Sequence, residues 1–76
     1  MARFYVVQRQ CPGLAEPEVV FATVDLDVAV VVAANAIANG DHNIEISERE
    51  NSQFIRTLGA LTITTMNRQR LPGPGG

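Results

Sequence analysis

The chain has 76 residues, 46% of them hydrophobic and 18% charged, with a formal net charge of −2. A chain this short forms one small domain that buries only about 60% of its unfolded surface, which excludes a large enclosed active site. The acidic balance and the few aromatics oppose nucleic-acid binding and base stacking, and one cysteine excludes an internal disulfide framework and a four-thiolate zinc site.

Lysine is absent, and all six cations are arginine. Lysine-based Schiff-base chemistry is therefore excluded, no side chain can accept an isopeptide bond, and the amino terminus is the only amine. The apolar run in residues 1–7 is too short for an export signal. The longest apolar stretch, residues 28–38, is interrupted by Asn35 and falls well short of a membrane span. The expectation is a soluble, cytoplasmic protein with no membrane partner and a reduced cysteine.

Residues 3–10 are rich in aromatic and β-branched residues and predict a strand with Phe4 and Val6 toward the core. Cys11-Pro12-Gly13 ends it, and Pro17 prevents a helix across the connection. Residues 18–24 predict a second strand, hairpin-linked to the first, with Val20, Ala22 and Val24 on one face.

Asp25 has the character of a helix N-cap, and Asp27 adds favourable charge to the first turn. Leu26, Val30, Ala33 and Ile37 then fall on one helical face, and Asn39-Gly40 closes the helix. The rival is a strand, because Val30-Val31-Val32 is β-branched and Asn-Gly is a hairpin signal. On the face away from the core stripe, Val28 and Val31 form a candidate contact surface, alongside the alternative of ordinary scattered hydrophobes.

Residues 43–50 alternate, with Ile44 and Ile46 inward and Glu45, Ser47 and Arg49 outward. Asn51-Ser52 is a turn. Residues 53–66 predict either one long bulged strand or two short strands broken at Gly59-Ala60. The domain is expected to span residues 1–67, with residues 68–76 a flexible tail. The order ββαββ(β) predicts an α+β fold, a mixed four- to five-stranded sheet packed on one helix.

All eight acids lie between residues 16 and 50, so the charge runs +2, −7 and +3 along the chain. Such asymmetry marks either an interaction face or simple solvation of turns and strand ends. Intrinsic catalysis is not expected. Cys11 and His42 lack a third orienting group, and Asp41, His42, Glu45 and Cys11 lack metal-ligand spacing. No cofactor is expected, since no Gly-rich loop follows a strand as a phosphate cradle needs.

The C-terminus carries the sharper signal. Arg68 and Arg70 offer charged handles to an acidic partner, and Leu71-Pro72-Gly73-Pro74 leads to Gly75-Gly76. Terminal glycines pass a narrow channel without a Cβ in the way. With the element order and the length, Arg70-Leu71 and Gly75-Gly76 give a chain that resembles the ubiquitin-like β-grasp proteins, including bacterial modifiers and sulfur carriers.

That resemblance implies that Gly76 is the conjugation point. It would be adenylated by an activating enzyme and carried as a thioester, sometimes by a carrier enzyme, to a target protein. Gly75 and Arg70 would thread the partner's channel, and a sheet face near Ile44 would join the tail in partner binding. Pro72 and Pro74 depart from the ubiquitin tail, and without lysines no side-chain-linked chains can form. Two alternatives stand beside it. One is a small phage- or plasmid-encoded inhibitor of the anti-CRISPR type, acting by protein–protein binding. The other is an oligomeric assembly module that pairs through the valine face or a sheet edge.

Overall fold

The computed structural model describes residues 2–70, Arg70 by its backbone alone. Strands β1 (Arg3–Arg9) and β2 (Glu18–Thr23) precede helix α1 (Leu26–Ala38), which leads to β3 (Ile44–Glu50), β4 (Gln53–Leu58) and helix α2 (Ala60–Arg70). The result is a small α+β fold with a four-stranded sheet in the order β2-β1-β3-β4. All three pairings are antiparallel, so the expected mixed sheet is not the one found.

Helix wins over strand in residues 26–38 because both ends are capped. The Asp25 carboxylate accepts from the Asp27 amide at 2.9 Å. At the other end Gly40 takes the left-handed conformation, φ 105°. Its amide reaches Ile37 O at 3.0 Å and the Asp41 amide reaches Ala36 O at 3.1 Å, a Schellman pattern that satisfies two orphan carbonyls. The expected stripe packs inward, with Val30 and Ala33 buried and Leu26 and Ile37 partly buried.

Residues 60–70 depart from the expectation. They form a helix, which neither strand alternative anticipated, and the expected tail residues Arg68 and Arg70 lie within it. Thr62, Ile63, Thr64 and Thr65 favour strand locally, but this preference is weak beside burial. A helix puts Ile63 and Met66 three residues apart against the core, and Ile63 is fully buried. Thr65 Oγ1 also donates to Leu61 O at 3.0 Å, giving its hydroxyl a partner inside the helix.

The core is built from Val7, Ala29, Val30, Ala33, Ile44, Ile46, Leu58 and Ile63. It therefore lies between one sheet face and the two helices. This reverses the expected sidedness of β1: Val7 faces the helices with Tyr5 packed beside it, while Phe4 and Val6 take the other face. Both phases of β1 are apolar, and Arg3 and Arg9 shared the phase that turned out to be inward. Their guanidiniums avoid burial by leaving at the strand ends, Arg3 toward Glu48 and Glu50 and Arg9 toward Glu18 and Asp41.

The pairing register explains a second reversal. β2 carries a bulge at Val20, since Val7 pairs with Phe21 and Gln8 pairs with Val19. The extra residue breaks the alternation that grouped Val20 with Ala22. β4 carries the same device at Ile55, because Glu48 pairs with Arg56 and Arg49 pairs with Phe54. Both edge strands are thus bulged, which blunts sheet extension at either side.

The charge asymmetry is largely taken up inside the fold. Glu48, with a side chain 3% exposed, accepts from Arg3 at 2.9 Å and from Arg56 at 2.6 Å, tying β1, β3 and β4 together. Arg9 holds Glu18 at 2.6 Å and Asp41 at 3.1 Å. The hydrogen bond from Arg56, with the charges of Arg56 and Arg3, holds the Glu48 carboxyl below its ordinary range, against opposing desolvation.

Candidate functional site

The sheet face turned away from the helices is organised in three cross-strand rungs. The first is Phe4–Arg49–Phe54, the second Ala22–Val6–Ser47–Thr57, and the third Val19–Gln8–Glu45. Neither helix covers this face among the described residues, yet its centre is closed to water: Val6 is 8% exposed and Ser47 1%. Longer side chains of the flanking rungs surround them. Phe4, Val6, Gln8, Glu16, Pro17, Val19 and Arg49 line an open groove of about 420 Å³ on this face.

Two of the four aromatics, Phe4 and Phe54, lie on this face, while Tyr5 and Phe21 share the side of Val7. None of the three phenylalanines belongs to the buried core. Phe4 is half-buried in the groove and Phe54 is 57% exposed, one on either side of Arg49. Large apolar side chains exposed together on a small domain point to a contact surface.

Its electrostatics are equally specific. Among the described residues, no carboxylate lies within ion-pair distance of Arg49, whereas Arg3, Arg9 and Arg56 are all paired. Its Nε donates to Ser47 Oγ at 3.1 Å, and Arg49 lines the groove. At the other end, Glu45 Oε2 accepts from Gln8 at 2.6 Å and from Gln10 at 2.8 Å. Both bonds fall on one oxygen, and Oε1 keeps its capacity for a further donor. The face therefore presents a cation at one end, an anion at the other and apolar surface between.

The residues expected to carry function are dispersed. Ile44 is 2% exposed, within the core rather than on a sheet surface. Val28 is 39% exposed on α1, Val31 is half-buried, and Arg68 is exposed near the end of α2. Leu71, Gly75 and Gly76 lie outside the described residues. Cys11 donates only to the carbonyl of Arg9, at 3.8 Å, and His42 is exposed. Among the described residues, no group of three His, Cys, Asp or Glu side chains is arranged to hold a metal ion. No described helix is long and apolar enough to cross a membrane.

The sequence reading missed Phe4, Phe54, Arg49 and Glu45 as a group. The alternation in β3 did place Glu45, Ser47 and Arg49 on one outward face. What it lacked was the register that brings Phe4 and Phe54 beside Arg49.

No family model, curated protein or solved structure matches this chain.

Proposed function

We propose that this chain is a protein-interaction module that works through the helix-free face of its sheet rather than through catalysis. The carrying observation is the rung Phe4–Arg49–Phe54: two aromatics outside the core flank an arginine that has no ion-paired carboxylate among the described residues. Aromatics and arginine are the residue types that dominate binding energy at protein contacts. A complementary surface offers apolar side chains to the groove, a carboxylate to Arg49 and a donor to Glu45. The acidic overall balance and Glu16 and Glu45 on this face disfavour a phosphate backbone as the ligand.

The terminal-carboxylate reading implied by Gly75-Gly76 remains a separate proposal. It is tested by intact mass of the chain and its Gly76 deletion in cells holding an activating enzyme.

The face reading is tested by placing a photo-crosslinking amino acid at Phe54 and, as a control, at Leu61 on α2. Leu61 is 82% exposed, so both positions are reachable. Crosslinks formed in cells at Phe54 and not at Leu61 support the face. Equal crosslinking at both positions, or crosslinking at Leu61 alone, overturns it.

A further inference from the structure

The charge pattern of the open face is self-complementary. Glu45 and Arg49 sit on β3 two residues to either side of Ser47, and all three share this face. A twofold axis laid along the rung Val6–Ser47 keeps each strand over its own copy and reverses its direction. It therefore sets Arg49 over Glu45 of the second copy, and Glu45 over the second Arg49. The same operation lays Val6 on Val6 and Phe4 over Gln8. No like charges are opposed along β3, and each Arg49 meets a carboxylate of the second copy.

We infer that the partner of this face is a second copy of the chain, stacked face to face as a two-sheet sandwich with reciprocal Arg49–Glu45 ion pairs. This rests on the interaction reading of the same face and names its partner. Face stacking is favoured over edge pairing because both edge strands carry bulges. Four strands about 4.8 Å apart and about 20 Å long give a footprint of roughly 400 Å² on each copy. Over both copies that is about 800 Å², below the roughly 1,000 Å² that a stable interface clears, so the dimer is a weak one that dissociates on dilution.

The test is sedimentation of the full chain across a dilution series from about 500 to 10 µM, a range chosen for a weak interface. The expected mass rises from 8.2 kDa toward twice that value as concentration increases. Arg49→Glu and Glu45→Arg should each remain monomeric, because each homodimer would oppose like charges twice. An equimolar mixture of the two variants should recover the dimer, because every cross-copy pair is then opposite in charge. Misfolding cannot produce that recovery.

A wild-type chain that stays monomeric at the highest concentration overturns the inference. So does a dimer that forms in both single variants, or one that the mixture fails to restore. A monomeric chain that still crosslinks through Phe54 to a different protein would overturn the second copy while preserving the face.

Discussion

Val6 and Val7 are neighbours in sequence with the same side chain, and they serve opposite faces of one sheet. Val7 is sealed under two helices with Ile46, Leu58 and Ile63. Val6 lies in a groove whose rim is Phe4, Gln8 and Arg49. The covered face satisfies itself: Glu48 is paired, both ends of α1 are capped, and its buried apolar side chains touch one another. The open face does not, since it holds the exposed Phe54 and an arginine with no ion-paired carboxylate among the described residues. Stability and recognition are thereby assigned to different sides of the same strands.

The largest effect should come from the covered face. Ile63→Ala removes a fully buried side chain from α2 and should cost about 2–5 kcal/mol in urea denaturation. A loss under about 0.5 kcal/mol would mean that α2 is not part of the core. Glu48→Gln should cost about 1–3 kcal/mol, because it weakens charge-assisted bonds from Arg3 and Arg56 at a buried site.

The pH dependence of that site has a definite sign. The folded state depresses Glu48 below its ordinary 4.5, so the unfolded chain binds more protons between the two values. The stabilisation is present above 4.5 and is lost as pH falls through the lower folded value. Acid melts should therefore show wild type losing stability in that window, and Glu48→Gln losing less. Equal slopes for the two proteins would contradict the assignment.

Asp25→Ala should cost about 1 kcal/mol through the lost N-cap. On the open face, Phe54→Ala should change folding stability by no more than about 0.5 kcal/mol. A larger loss at Phe54 would erase the contrast between the faces.

Much of the frame was legible in the sequence. Asp25 and Gly40 marked the helix because capping is local chemistry, and Ile44 and Ile46 marked β3 because its alternation was clean. The sidedness of β1 was not legible, since Phe4-Tyr5-Val6-Val7 is apolar in both phases and only the pairing with β3 selects one. Residues 60–66 misled for a related reason. Their threonines favour strand locally, and the contacts of Ile63 and Met66 with α1 and the sheet, which favour helix, are long-range. Individual residues of the open face were visible as outward positions, but its Phe–Arg–Phe rung exists only through register and the bulge at Ile55.

The most direct test follows the methyl resonances of Val6 and Val7 as the protein is diluted. The account predicts that Val6 shifts with concentration while Val7 stays fixed, because only one of the two faces meets a second chain. Fixed Val6 resonances, or shifts at Val7 as large as those at Val6, would contradict it.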